Sequence, residues 1–245
     1  FGVAGGAVRA LDWATGITAW ESPLGSKVIG APALYVSGDD AVAFAAVENG
    51  GLYALNLSDG GLAWSKSGDE LSGAAYGLTV GGDGALYAAT DTGWLHAFNP
   101  LTSEAYWSLD LTQSDSFYAP PAITGSGIFL SSAYQALTAI NPATLETMWR
   151  AETLGVPYTP PSAAEGLGAV FVGTDRGWVY AFSMADGSQW WSAQVSGPIT
   201  GLANDGARLF AAASDGSVYA WDAATGAALW ALNSRSTISG PPLTD

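Results

Sequence analysis

The side chains that could do chemistry are few in this chain. His96 is the only histidine, and no cysteine is present. A lone histidine could act as a general base or a metal ligand. The alternative is a packing residue, since it lies in the run 95–98 where similar runs place Tyr53, Tyr180 and Tyr219. Without a second histidine the sequence disfavours a histidine-based metal site, and the packing interpretation is preferred.

Acidic and amide side chains recur at two regular places. One set precedes turn glycines: Glu48, Asp91, Asp175 and Asp215. The other opens turn-like segments: Asp12, Asn56, Asn99, Asn141 and Asp222. Calcium binding is one interpretation, because calcium takes oxygen ligands. Turn chemistry is the other, and it is favoured because no D-x-[DN]-x-[DN]-G loop occurs.

Two adjacent acid pairs, Asp39-Asp40 and Asp69-Glu70, lie in predicted connecting loops. Catalytic carboxylates must converge in space, and adjacency in sequence does not show convergence. The chain also lacks a glycine-rich phosphate loop, a nucleophile elbow and a His-Glu zinc motif. The sequence therefore predicts no catalytic residue, no bound cofactor and no metal site.

The overall charge limits the partners. The net charge is −15, with 22 acidic and 7 basic residues. A basic patch for nucleic acid or an anionic membrane surface is not expected from this composition. The longest apolar run, residues 41–47, is far too short to span a bilayer. The start at Phe1 rather than Met indicates that processing removed a segment or that the sequence is a fragment.

The elements that would position these side chains repeat along the chain. A tryptophan recurs with gaps of 44, 43, 42, 42 and 39 residues, and each lies ten residues after an alanine. The tryptophans are Trp20, Trp64, Trp107, Trp149, Trp191 and Trp230, and the alanines are Ala10, Ala54, Ala97, Ala139, Ala181 and Ala220. A fixed period of about forty residues is typical of a repeat architecture.

Each repeat contains a hairpin signal, a short apolar strand followed by a polar turn and the tryptophan strand. Two further strand-like runs precede each hairpin, the first of them in Gly/Pro-containing stretches such as Tyr118–Ala122 and Tyr158–Ser162. Proline lacks a donor, so these stretches suit an edge strand. The strands are apolar on both faces, as expected when sheets stack face to face. The sequence predicts an all-β, six-bladed β-propeller of four-stranded antiparallel blades.

The two ends of the chain suggest how the ring closes. Residues 1–6 read as part of a second strand, and residues 238–245 read as the first strand that this copy lacks. Pairing of the N- and C-terminal strands would close the ring and remove a free sheet edge. Residues 1–245 are therefore expected to form a single propeller domain.

The repeat unit Ala-x-Asp-x-x-Thr-Gly-x-x-x-Trp resembles that of the PQQ-type propellers, which include the quinoprotein dehydrogenases and the envelope assembly lipoprotein BamB. The segments Ala10–Trp20 and Ala220–Trp230 match every fixed position, and all six copies are in phase. The resemblance implies that each Trp ring stacks between its own alanine and the backbone at a neighbouring repeat's glycine. It assigns blade docking to the six Trp and six Ala residues and to Gly16, Gly60, Gly187 and Gly226. Ser103 and Leu145 hold the glycine place in two copies and predict looser docking there.

The resemblance also bears on function. Quinoprotein dehydrogenases and BamB have eight blades, and the dehydrogenases carry a vicinal cysteine pair, whereas this chain has six repeats and no cysteine. We therefore expect a non-catalytic protein-binding scaffold, periplasmic or secreted, that works as a subunit of a larger complex of proteins. The alternatives are a PQQ-dependent or other propeller enzyme, and a carbohydrate- or peptide-binding module.

Five further tryptophans lie outside the docking set: Trp13, Trp94, Trp178, Trp190 and Trp221. They could form an exposed aromatic patch that binds a ligand or a protein. They could also add packing between blades, since four of the five lie in or beside predicted strands.

Overall fold

A computed structural model describes residues 2–3, 5–113, 115–238, 240 and 242. These residues form 23 strands in six antiparallel sheets, and no helix occurs among them. The all-β prediction is confirmed. The chain divides into two compact units, residues 1–118 and 119–245, and the expectation of one domain over residues 1–245 stays a prediction.

The first unit contains three sheets. Sheet 1 has three strands: β1 (Gly2–Val3), β2 (Ala7–Leu11) and β3 (Thr18–Pro23). Sheet 2 has four: β4 (Val28–Ser37), β5 (Asp40–Val47), β6 (Leu52–Asn56) and β7 (Leu62–Lys66). Sheet 3 also has four: β8 (Ala75–Val80), β9 (Leu86–Thr90), β10 (Trp94–Phe98) and β11 (Ala105–Asp110).

The second unit contains three four-stranded sheets. Sheet 4 consists of β12 (Ala122–Ile123), β13 (Ile128–Ser132), β14 (Ala136–Ile140) and β15 (Thr147–Glu152). Sheet 5 consists of β16 (Ser162–Ala164), β17 (Ala169–Gly173), β18 (Trp178–Ser183) and β19 (Gln189–Gln194). Sheet 6 consists of β20 (Ile199–Asn204), β21 (Arg208–Ala213), β22 (Ser217–Asp222) and β23 (Ala228–Asn233).

In every sheet the strands pair in chain order, each with the next by an antiparallel hairpin. The two middle strands are the most buried. All residues of β9, β13, β14 and β17 are buried, which explains why their sequences lack a polar face. The last strand alternates instead, and β11, β15 and β3 expose every second residue or more.

The first strands lie at one edge of their sheets, as the prolines predict. In two sheets the first strand begins later in the chain than the sequence predicted. Strands β12 and β16 begin only at Ala122 and Ser162, the last residue of each predicted stretch. Each follows two consecutive prolines, which cannot donate to a ladder and so delay the start of pairing.

The core lies between consecutive sheets within each unit. Phe44 of β5 packs with Leu71, Leu78 and Leu86, which joins sheets 2 and 3. Phe171 of β17 packs with buried residues of sheet 6 in the same way. Within each unit, consecutive sheets therefore pack their apolar faces against each other, as stacked blades require.

The predicted closure of the ring depends on residues at the two ends of the chain. Residues 1, 4, 239, 241 and 243–245 lie outside the described residues. The described part of the N-terminus forms β1, which pairs with β2 through Gly2–Val8 and Val3–Ala7. Pairing of the N- and C-terminal strands stays a prediction.

Candidate functional site: docking tryptophans and exposed loops

The six turns between the third and fourth strands of the sheets have the same geometry. In sheet 6, the Asp222 N–H donates to the Ala227 carbonyl at 2.9 Å, and the Gly226 N–H donates to the Asp222 carbonyl at 2.9 Å. The fifth turn residue has a positive φ in every copy: Gly16, Gly60, Ser103, Leu145, Gly187 and Gly226. Glycine suits this left-handed conformation, and Ser103 and Leu145 adopt it nonetheless, with φ of 61° and 60°.

The alanine and tryptophan of each repeat lie opposite one another in the same sheet. All six pairs are cross-strand partners, for example Ala181 with Trp191 and Ala220 with Trp230. The remaining pairs have the same register. The ten-residue spacing in the sequence thus corresponds to one fixed position in a hairpin.

Four of the tryptophans contact the turn of the next sheet, a contact that we call a seam. Each indole N–H donates to the carbonyl of the second turn residue, at 2.8 Å for Trp20 and 2.9 Å for the other three. The donor–acceptor pairs are Trp20–Leu57, Trp64–Pro100, Trp149–Met184 and Trp191–Ala223. The single indole donor is satisfied while the ring is covered.

The glycines of three seams lie directly over a tryptophan ring. A Cβ built on Gly60, Gly187 or Gly226 would lie 2.6 Å from an atom of the facing ring. At the Trp64 seam, where Ser103 replaces glycine, the indole hydrogen bond is 2.9 Å long, the same as at the Trp149 and Trp191 seams. Looser docking at Ser103 and Leu145 stays a prediction.

Three predicted docking residues lie outside the four seams and differ in their surroundings. Trp230 is 47% exposed, whereas Trp191 is 8% exposed. A Cβ built on Gly16 would meet no described atom within 4 Å. Trp107 is partly buried, and its ring lies 5.8 Å from that of Tyr87 in an edge-on arrangement.

His96 is a buried and fully bonded side chain. Its Nε2 lies 2.9 Å from the Leu71 carbonyl, to which it donates, and its Nδ1 lies 2.8 Å from the Ser108 hydroxyl, from which it accepts. Its ring stacks between those of Trp94 and Phe98. Burial lowers the pKa of His96 below its usual value of 6.5, so the ring is neutral near pH 7. These contacts match the packing interpretation.

The carboxylates of the turns bond local backbone. Asp222 Oδ1 accepts from the N–H and the hydroxyl of Thr225 at 2.9 and 2.7 Å, and Asp12 bonds Thr15 in the same way. These hydrogen bonds lower the pKa of both carboxyl groups. Asp91 and Asp175 accept N–H groups of Ala74 and Val156 from the preceding connection. No group of three or more possible metal ligands occurs in the described part of the chain.

The two acid pairs lie at opposite ends of sheet 2. Asp39 and Asp40 are exposed where β4 turns into β5, and Asp69 and Glu70 are exposed in the connection after β7. Neither pair converges with the other. Glu70 accepts from the N–H and hydroxyl of Ser67 at 2.8 and 3.0 Å, which lowers its pKa and orders the connection.

Two clefts open at the end of sheets 2 and 3 that carries residues 48–51 and 67–74, which we call the loop surface. One, of about 280 Å³, is lined by Tyr53, Lys66 and Glu70 among others. The other, of about 490 Å³, is lined by Glu48, Asp69 and neighbouring backbone. Sequence reasoning did not find these clefts, since their walls come from two separate connections.

The five tryptophans outside the docking set divide into two kinds. Trp94, Trp178 and Trp221 stack on their strand neighbours His96, Tyr180 and Tyr219, with ring centroids 5.6–5.9 Å apart. Trp13 and Trp190 are instead exposed, Trp13 by 95%. Packing therefore accounts for the first three, and the exposed pair belongs to the surface.

The comparisons with known proteins fit this geometry. A family model described as outer membrane protein assembly factor BamB matches residues 4–74, 68–197 and 155–244. The chain belongs to this family. The predicted membership in the PQQ-type and BamB-type repeat family is thereby confirmed, whereas no curated protein matches the chain.

Two solved structures show the fold. The crystal structure of BamB from Moraxella catarrhalis is 18% identical, with a TM-score of 0.77 over 100% of this chain and 75% of that one. The computationally designed Ika8 protein is also 18% identical, with a TM-score of 0.77 over 100% of this chain and 74% of its own. Together with the six sheets, the BamB likeness confirms the prediction of a six-bladed β-propeller.

Proposed function

We propose that this BamB-family protein is a non-catalytic, protein-binding scaffold of the cell envelope that works as a subunit of a larger assembly. The observation that carries the proposal is the match to an outer membrane assembly factor along nearly the whole chain. No described helix is long and apolar enough to cross a membrane.

The chemistry of the described side chains supports a binding role. His96 has both ring nitrogens engaged inside sheet 3, and the turn carboxylates hold their own backbone. General acid–base catalysis needs such groups within hydrogen-bond reach of a substrate. Here they are hydrogen-bonded to other groups of the chain itself. What the chain offers to a partner is exposed loop and edge surface.

We place the partner site on the loop surface. Glu48, Asp69 and Ser72 are exposed there beside two clefts, and internal hydrogen bonds such as Ser67–Glu70 hold the connection in shape. Glu48 is ion-paired with Lys27 at 2.6 Å, so Asp69 and Glu70 are the carboxylates that this surface offers. Carboxylates on a preformed loop surface suit a protein partner with basic side chains, because complementary charge speeds and orients encounter.

Affinity capture from native membranes, read by mass spectrometry, tests the proposal. We expect the wild-type chain and Asp39→Lys to enrich the same envelope proteins. Asp69→Lys should lose them, since it reverses a charge on the loop surface. Asp39 is the matched control: it is exposed and acidic, and it lies beyond the opposite end of β5.

Three results would count against the proposal. Equal loss of partners in both variants would show a general charge effect instead of a site at the loop surface. Tight binding of PQQ with dye-linked alcohol oxidation would make the protein an enzyme. Capture of only cytoplasmic proteins would remove the envelope assignment.

A further inference from the structure

The turn between β5 and β6 contains Asn49-Gly50, the only Asn-Gly pair in the chain. Asn49 is exposed, and Gly50 has a φ of 87°. Asn-Gly suits tight hairpin turns because glycine accepts left-handed backbone angles. Glycine also has no Cβ to obstruct its backbone nitrogen. That nitrogen can therefore reach the side-chain carbonyl carbon of the preceding asparagine more easily than the nitrogen of any other residue type can.

The other five asparagines lack this combination. Asn99 and Asn141 precede prolines, whose nitrogen carries no hydrogen and cannot act as a nucleophile. The remaining three precede residues that have a side chain: Asn56, Asn204 and Asn233. The amide nitrogens of the last two also donate to serine hydroxyl groups, at 2.9 and 2.8 Å. The Asn49 amide nitrogen, in contrast, donates to no group in the described part of the chain.

The folded turn restrains the Gly50 nitrogen. Its N–H donates to the Val47 carbonyl at 2.9 Å, and the Gly51 N–H donates to Asn49 Oδ1 at 3.2 Å. Gly50 is buried, and a Cβ built on it would lie 3.0 Å from the Cα of Gly68. An attack on Asn49 therefore requires the turn to move away from residues 67–70. Exposed turns open locally at a much smaller free-energy cost than the whole protein.

We propose that Asn49 is a self-modification site, at which the folded protein slowly converts the side-chain amide to a carboxylate. The Gly50 nitrogen bonds to Asn49 Cγ, the Cγ–Nδ2 bond breaks, and ammonia leaves with the proton that the Gly50 nitrogen loses. Water then opens the resulting succinimide at either carbonyl carbon: its hydroxyl joins that carbon, and its proton returns to the nitrogen. The products at position 49 are an aspartate and an isoaspartate.

The modification changes the loop surface. Asn49 lines both clefts, one of which also carries Glu70 and the other Asp69. Both products add a negative charge there, and the isoaspartate also lengthens the main chain of the turn by one carbon. A charge-changing modification acts on binding through ordinary electrostatics. Its effect on a partner rests on the proposed function: a partner with basic side chains should bind the aspartate product roughly two- to five-fold more tightly.

Peptide mapping at all six asparagines, after incubation of the folded protein at mildly alkaline pH, tests the modification. We expect Asn49 to account for most of the conversion. Asn49→Gln should remove most of the ammonia release, because glutamine must close a larger ring. Asn56→Gln is the matched control: it makes the same change in the next turn of the same sheet and should release ammonia as wild type does.

The dependence on turn opening gives a second measurement. Ser67→Ala removes the hydroxyl that donates to Glu70 at 3.0 Å and so loosens the segment against which Gly50 packs. It should speed conversion at Asn49 roughly three- to ten-fold, as expected for one lost hydrogen bond. The control is Ser58→Ala, an exposed serine of the β6–β7 turn, which should leave the rate unchanged. Unfolding in urea should speed conversion further.

Four results would overturn the proposal: even conversion among the six asparagines, ammonia release unchanged by Asn49→Gln, conversion as fast in the folded protein as in urea, and an Asn49 that converts only in urea. Partner capture by Asn49→Asp measures the effect on binding separately, and unchanged affinity would refute that effect. If Asp69→Lys keeps every partner, the proposed partner site is wrong, and the peptide map still decides whether Asn49 converts.

Discussion

Trp191 and Trp230 occupy the same position in neighbouring sheets but have different surroundings. Both pair with an alanine across the strand, and both rings lie close to a phenylalanine of the second strand, at 5.9 Å from Phe171 and 6.0 Å from Phe210. Yet Trp191 is 8% exposed and bonded to the Ala223 carbonyl, whereas Trp230 is 47% exposed.

The difference separates two sources of stability. A repeat places its own tryptophan by hairpin register alone, since the cross-strand partners are the same in both sheets. Burial depends on a second sheet. The turn of sheet 6 covers Trp191 of sheet 5, whereas Trp230 of sheet 6 remains exposed. The free energy gained by a docking tryptophan is therefore shared between sheets and does not belong to the repeat that carries it.

The largest expected effect comes from deleting the covered ring. Trp191→Ala should lower the free energy of unfolding by about 3–5 kcal/mol, because it opens a large cavity in a seam. Trp230→Ala should cost only roughly 1 kcal/mol in dilute solution, since much of its ring is already in water. Urea denaturation of both variants measures the difference, and equal losses would contradict the comparison.

Adding a side chain at the glycine that faces the Trp191 ring should lower stability by a smaller amount. A Cβ on Gly226 would lie 2.6 Å from the Trp191 ring, whereas one on Gly206 would meet no described atom within 4 Å, and both residues have positive φ. Gly226→Val should be less stable than Gly206→Val by about 1–3 kcal/mol, the usual range for overpacking. Thermal unfolding of the two variants checks this, and similar melting temperatures would show that the clash is relieved by movement.

A third prediction concerns His96, which is bonded to the Leu71 carbonyl in the connection between β7 and β8. Its folded pKa is lowered by burial, so the unfolded chain binds the proton more readily. Stability is then complete above the unfolded pKa of about 6.5 and is lost as pH falls toward the folded value, by at most about 1.4 kcal/mol per pH unit.

His96→Gln should remove this slope, because glutamine does not titrate. Urea midpoints of wild type and variant, measured between pH 7.5 and pH 5, give the difference. The turn carboxylates have lowered pKa values and titrate at lower pH in both proteins. Parallel curves across this range would show that His96 can be protonated without strain.

The smallest effect is expected at Ser103, which holds a left-handed conformation with a φ of 61°. Ser103→Gly should stabilise the protein by about 0.5 kcal/mol, since relief of the backbone strain slightly exceeds the entropy that glycine adds to the unfolded chain. The reverse change, Gly16→Ser, should have the opposite sign. Calorimetry of both variants at low protein concentration measures the pair, and a destabilised Ser103→Gly would show that the serine side chain supports the seam.

The sequence predicted the local part of this comparison well. The strand–turn–strand hairpin predicted for each repeat is present in all six, and the structure adds that its alanine and tryptophan are cross-strand partners, because turn type and loop length fix the register of a hairpin. The hydrogen bonds of Asp12 and Asp222 followed from turn chemistry in the same way. Even Ser103 and Leu145 keep the glycine conformation, which shows that the turn as a whole selects the φ angle.

What the sequence did not predict depends on contacts between distant segments. The exposure of Trp13 and Trp230 differs from that of other tryptophans in similar motifs, because the neighbouring sheet decides it. The clefts of the loop surface are formed by the β5–β6 turn and the β7–β8 connection together. No periodic pattern records which connections meet, so only the structure reveals them.

One feature of the seams extends beyond stability. The tryptophan and the turn that receives the preceding tryptophan lie on one hairpin, as with Gly60 and Trp64. A gene segment that is duplicated with this hairpin intact therefore encodes both the tryptophan and the turn that a seam requires. The length of the array can therefore change during evolution without any new contact having to arise, and each added copy is compatible with its neighbours from the first generation.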